Sequence, residues 1–146
     1  MIVKFKKLSP LAVIPRYSKP GDAGMDLTAV EVKKSFDSLR DEYTKVIVDS
    51  GIAVEIPDGY VGLVFPRSSI QSTGLRLTNS VGVIDSQYRG SIKAYFDILD
   101  STLKYYEVGE RFAQLIIVSY PQIEFEEVEE LSQTERGTGG FGSTNK

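Results

Sequence analysis

Apolar side chains in this chain recur at alternate positions, and turn-forming residues cut the runs at short intervals. The stretches "VIVDSGIAVEI" (46–56), "YVGLVF" (60–65), "GSIKAYFDIL" (90–99), "RFAQLIIVSY" (111–120) and "IEFEEVEEL" (123–131) are rich in β-branched and aromatic residues. Alternation places one set of side chains on one face of an extended strand, and such a strand must cover that face against a partner. The turn signals "PDG" (57–59), "YRG" (88–90), "VGE" (108–110) and "YPQ" (120–122) bound the runs. Short strands joined by short turns predict an all-β sandwich or barrel. One segment departs from the pattern. In "SFDSLRDEYTKV" (35–46), Phe36, Leu39, Tyr43 and Val46 fall at helical spacing behind Ser35, which predicts a short helix or an irregular insertion. Residues 31–48 accordingly read as a peripheral insertion. A second short helix is expected in "RSSIQSTG" (67–74), capped by Ser68 or Ser69 and ended by Gly74. The acidic run at 124–130 reads as the wet face of an edge strand.

What is missing narrows the chemistry. The 146 residues contain neither cysteine nor histidine. Disulfides, thiolate nucleophiles, zinc–cysteine sites and Ser-His-Asp catalysis are therefore excluded. Catalysis must use carboxylates, hydroxyls, Lys, Arg, Tyr, backbone amides and water, and a metal must be hard and oxygen-bound, such as magnesium. The length suits one domain with a core of its own. No apolar run approaches the roughly 20 residues of a membrane span, and "MIVKFKKLSP" is too interrupted for a signal peptide. A cytoplasmic protein with no membrane partner is expected. The net charge of −3 argues against a broad nucleic-acid surface.

Five stretches carry candidate chemistry, and each has a plainer reading beside it. In "GDAGMDL" (21–27), Asp26 stands at a strand start and serves either a magnesium site or a structural hydrogen bond. In "PRSSIQSTG" (66–74), Arg67 and two serines at a helix start form either an anion site or a capped turn. In "NSVGVIDSQYRGSIKAYF" (79–96), Asp85 is either a caged carboxylate that takes a proton from water or the turn former of a hairpin. Asn79 can read a base edge there, and Tyr88 offers a flat ring. In "RFAQLII" (111–117), Arg111 and Gln114 are the polar exceptions: one suits a buried carboxylate, the other a phosphate, and core satisfaction explains both as well. The last stretch, "RGTGGFGSTN" (136–145), is a flexible tail or a phosphate-closing loop. Its glycine N–H groups can surround phosphate oxygens, Arg136 supplies a forked charge, Ser143 and Thr144 supply hydroxyls, and Phe141 can stack on a ring. It lacks the following helix of a dinucleotide fingerprint and the lysine of a P-loop. Together these groups describe a site for a nucleoside polyphosphate and an attacking water.

In this order, "DAGMDL", "PRSS", "NSVGVIDSQYRGSIKA", "RFAQLI" and "RGTGGFGST" resemble the five motifs of the homotrimeric dUTPase family. The resemblance runs from about residue 20 to 144 and rests on the ordered set. It implies a jelly-roll-like β-barrel over 1–135, a flexible C-terminal arm over 136–146, and a homotrimer with active sites at subunit interfaces. The implied reaction is dUTP and water to dUMP and pyrophosphate, with magnesium, limiting uracil in DNA and supplying dUMP for dTMP synthesis. By motif position Asp85 is the general base. Asn79 and the backbone of Val83, Ile84 and Lys93 hold uracil, and Tyr88 packs under the deoxyribose. Arg67, Ser68, Ser69 and Gln114 hold phosphates, and Asp26 meets the metal region through water. Arg136, Phe141, Gly142, Ser143 and Thr144 close the site from a neighbour's tail. Two rival readings stand beside this one. A dCTP deaminase of the same fold is expected to carry a catalytic glutamate where this chain has Tyr95. A nucleotide-dependent regulatory protein would bind without turnover, read by a protein partner.

Overall fold

Among the residues described by the computed structural model, 1–39 and 41–140, the chain forms ten strands and one 3-10 turn. The strands are β1 (Lys4–Lys7), β2 (Met25–Thr28), β3 (Glu31–Asp37), β4 (Glu42–Asp49), β5 (Ile52–Glu55), β6 (Tyr60–Pro66), β7 (Leu75–Leu77), β8 (Gly82–Ile84), β9 (Lys93–Ile98) and β10 (Arg111–Ser119). They pair antiparallel in two four-stranded sheets, β2-β10-β6-β8 and β3-β4-β9-β7, with β1 and β5 as a separate pair. The chain is all-β, with the jelly-roll-like layering expected of it.

Alternation accounts for the core. Val46 and Val48 of β4, Leu75 and Leu77 of β7, and Ala94 and Phe96 of β9 point inward from one sheet. Leu27 of β2, Val64 of β6, and Phe112, Ala113 and Leu115 of β10 meet them from the other. Phe96 and Phe112 are fully buried, each worth about 1.5–3 kcal/mol of transfer from water. The 46–56 run divides at Gly51, where φ is +63° and a Cβ would stand 2.9 Å from Val30 Cγ2. That geometry admits glycine alone without strain. Buried Ser50 secures the same corner: its hydroxyl donates to the Ile92 carbonyl at 2.8 Å.

Three local expectations need correction. Residues 35–46 are not a helix but the outer part of the β3–β4 hairpin, with Phe36 opposite Tyr43 and their rings 5.2 Å apart, edge to face. The helical spacing is a by-product of a cross-strand aromatic pair plus a bulge between Ser35 and Phe36. The hairpin's tip is exposed, whereas its base carries Val46 and Val48 into the core. The short helix at 68–72 does form, as a 3-10 turn, but no serine caps it. Arg67 stands at the cap with no side-chain cap hydrogen bond, and the turn is closed by the Ile70 N–H donating to the Arg67 carbonyl. No strand forms at 123–131. Ile123, Phe125, Val128 and Leu131 are exposed there, with no neighbouring strand to pair with in a single chain.

Candidate functional site

The sheet order brings three of the five stretches together. Strand β10 lies between β2 and β6, with Gln114 opposite Asp26 on one side and Phe65 on the other. A bulge on β10 between Arg111 and Ala113 lets both Phe112 and Ala113 reach the core and re-aims Arg111 toward β2. Asp26 then receives two guanidinium groups. Its Oδ1 accepts from Arg67 Nε at 2.7 Å, and its Oδ2 from Arg111 Nη1 at 2.8 Å. Ser18 Oγ donates to the same Oδ2 at 3.3 Å. Asp26 and Arg67 are largely shielded, with side chains 15% and 21% exposed, so this pairing is less screened than a surface ion pair. Gly24 keeps the approach open: a Cβ there would lie 2.6 Å from Gln114 Oε1. The result is two arginines clamped on one carboxylate, beside Gln114 and the exposed hydroxyls of Ser68 and Ser69. Arg67 Nη1 also reaches Ser69 Oγ at 3.5 Å. Such an arrangement can receive an anion with its donors prearranged.

The role of Asp26 toward a metal has a geometric limit. Both of its oxygens already accept hydrogen bonds, and no group of three or more His, Cys, Asp or Glu that could hold a metal ion exists among the described residues. The described residues therefore offer no metal cage of their own. Magnesium would fit here only as an ion held mainly by phosphate oxygens and water, with Asp26 as the nearby carboxylate.

The second group lies elsewhere. Strand β8 pairs with the first half of β6, Val83 opposite Leu63 and Ile84 opposite Gly62. Asp85 follows β8 and lines a 740 Å³ cleft with Val61, Tyr60, Asp58 and Val83. Asp85 is exposed in the single chain, not caged as the flanking Val83 and Ile84 suggest, because Val83 itself is 62% exposed and covers nothing. The Tyr88 N–H donates to the Asp85 carbonyl at 3.0 Å, and the Tyr88 hydroxyl donates to the Ser91 carbonyl at 3.0 Å. The ring lies so close over Gly90 that any Cβ there would overlap it. Asn79 is exposed, near Gly82. Lys93 stands on β9 in the other sheet, its ammonium paired with Asp49 at 3.1 Å.

One chain does not join the two groups. Asp85 sits beside Val61 and Arg67 lies beyond the far end of β6, six positions on, which at strand rise is about 20 Å. Of the tail residues, Arg136 is exposed and its carbonyl accepts from the Gly139 N–H at 3.0 Å. Phe141, Gly142, Ser143 and Thr144 lie outside the described residues.

Sequence reasoning missed Tyr106. It is 6% exposed, and its hydroxyl has no hydrogen-bond partner among the described residues. It lines a 390 Å³ pocket with Arg67, Ser69 and Arg111. Within "KYYEVGE" it sits in a non-alternating stretch with no strand pattern to mark one tyrosine as the inward one.

The chain is similar to known proteins in sequence and in fold. A family model described as dUTPase matches residues 11–145. A deoxyuridine 5'-triphosphate nucleotidohydrolase from Cutibacterium acnes is 44% identical over 90% of this chain and 84% of its own. One from Nautilia profundicola is 40% identical across the full length of both. Among solved structures, a variant dUTPase of Staphylococcus bacteriophage 80alpha with dUpNHpp superposes with a TM-score of 0.83 at 28% identity, covering 98% of each chain. A variant dUTPase of Staphylococcus aureus phage phi11, described with a structural Mg(II) ion, gives 0.73 at 25% identity over 89% of this chain and 98% of its own.

Proposed function

The chain belongs to the dUTPase family and is a dUTP diphosphatase, and from that premise we propose that each active site is assembled from more than one copy of it. The single observation that carries this is the separation of Asp85 from Arg67 by about 20 Å along β6. A base on the attacking water and a donor to the same substrate's phosphates must lie within one nucleotide of each other, and two chains can supply what one cannot. A homotrimer meets the requirement by rotation, since every copy offers both halves. The exposed Ile123, Phe125, Val128 and Leu131 on a strandless segment support such contacts.

In this reading Asp85 takes a proton from water as the water attacks the α-phosphorus, and pyrophosphate leaves. Asn79 and the backbone of Val83, Ile84 and Lys93 hold the uracil, and Tyr88, fixed by Ser91 and packed on Gly90, lies under the deoxyribose. Arg67, Ser68, Ser69 and Gln114 hold phosphates. Asp26 orients Arg67 and Arg111, so little side-chain ordering is left to be done when the triphosphate arrives. Magnesium, when bound to the phosphates, supplies further neutralisation of their charge. The tail from Arg136 onward, with Phe141, Gly142, Ser143 and Thr144, closes the site from a neighbouring copy and excludes water.

The test is pyrophosphate release from dUTP, dCTP, dTTP and UTP in the presence of magnesium. Strong preference for dUTP is expected. Comparable release from UTP would remove the assigned role of Tyr88, and comparable release from dCTP or dTTP the assigned uracil contacts.

A further inference from the structure

The pocket beside Arg67 contains a polar atom that the unliganded chain leaves without a partner. Tyr106 packs its ring against Phe96 at 5.3 Å and Phe112 at 6.4 Å, which fixes the direction of its hydroxyl. That hydroxyl is shielded from solvent and makes no hydrogen bond among the described residues. A buried unpaired hydroxyl is costly, so its persistence calls for an explanation. Burial pushes the phenol above its usual range, so it is a proton donor at neutral pH, while the neighbouring Ser69 hydroxyl and the Arg67 charge pull the other way. Ser69 Oγ thus has two donors beside it: Arg67 Nη1 at 3.5 Å and the Tyr106 hydroxyl, which lines the same pocket. A serine hydroxyl that accepts from two donors has one direction left for its own proton, outward to an acceptor.

We propose that Tyr106 is a positioning residue for the polyphosphate: its buried hydroxyl engages Ser69 and turns the serine O–H toward a phosphate oxygen. This rests on the reading of Arg67 and Ser69 as phosphate donors. It adds a residue from outside that set, acting through Ser69 rather than on the nucleotide. A phosphate oxygen that accepts the Ser69 proton leaves the serine oxygen free to accept from Tyr106, so the effect is confined to ligands that carry phosphate.

Tyr106→Phe keeps the ring packing and removes only the hydroxyl. The measurement is calorimetric titration of the full chain with dUpNHpp and with deoxyuridine, which has no phosphate. Affinity for dUpNHpp is expected to fall roughly threefold to tenfold, the worth of one such hydrogen bond. Affinity for deoxyuridine should be unchanged, and thermal stability should not drop. Ser69→Ala should lower dUpNHpp affinity too, and adding Tyr106→Phe to it should cost nothing more. Unchanged dUpNHpp affinity in Tyr106→Phe would overturn the proposal, as would an equal loss for deoxyuridine or full additivity with Ser69→Ala. Failure of the underlying reading shows separately, as full dUpNHpp affinity in Arg67→Ala, and takes this proposal with it.

Discussion

Two aspartates carry the proposed chemistry, and their surroundings suit them to different tasks. Asp26 is shielded and doubly clamped, so its lone pairs are committed to Arg67 and Arg111. Asp85 is exposed on a turn, with its carboxylate free to meet water and substrate. Asp85→Asn is therefore expected to keep dUTP binding and to lower kcat by roughly a hundredfold or more, the usual share of a general base. Near-normal turnover in steady-state assays would remove Asp85 from that role. Asp26→Ala should act differently. It strands the largely shielded Arg67 guanidinium and takes the partner from the exposed Arg111, so thermal unfolding should show a loss of about 1–3 kcal/mol. KM for dUTP should rise, because Arg67 loses its orientation. A variant with unchanged stability and unchanged KM would show that the clamp positions nothing.

At the scale of elements, strands β6, β9 and β10 were legible from alternation and their turns, because each has one face turned to the core. The β3–β4 hairpin was not, because Phe36 and Tyr43 satisfy helical spacing and cross-strand pairing equally, and only the partner strand β9 decides between them. The 123–131 segment starts to alternate at Ile123 and Phe125 and then loses the period at Glu126–Glu127, and it finds no strand edge among the described residues. Arg67, Asp26 and Gln114 could be singled out by residue type, but their clustering depends on the β2-β10-β6 order. The clamp of Arg111 on Asp26 depends further on a bulge that leaves no mark in the residue types. Electrostatics also ties elements together. Asp49 closes β4 against β9. Burial opposes its ionisation, but hydrogen bonds from Ser91, the Gly51 N–H and Lys93 outweigh that and hold the carboxyl below the ordinary range. A depressed folded-state value means that its contribution is complete above the unfolded value near 3.9 and is lost as pH falls below it. Acid unfolding monitored by circular dichroism should therefore steepen below about pH 4. Asp49→Asn should flatten that limb while lowering stability at neutral pH. An unchanged acid limb would show that Asp49 does not couple these strands.

At the scale of the whole molecule, function depends on surfaces that one chain leaves open. Arg67, Ser68 and Ser69 lie past one end of β6 and Asp85 beside the other, and Asp85 and the two serines are exposed in the single chain. The proposed shared site accounts for the finding that, among the described residues, Asp85 and Arg67 line different clefts. The direct measurement is complementation. Asp85→Asn and Arg67→Ala, each inactive alone, are mixed in equal amounts, unfolded and refolded together. Over all the trimers formed, random assembly would give about a quarter of the sites an intact aspartate from one chain and an intact arginine from another. Recovered dUTP hydrolysis near that fraction of the unmutated enzyme is the predicted result. A mixture no more active than the two variants measured apart would contradict the shared site.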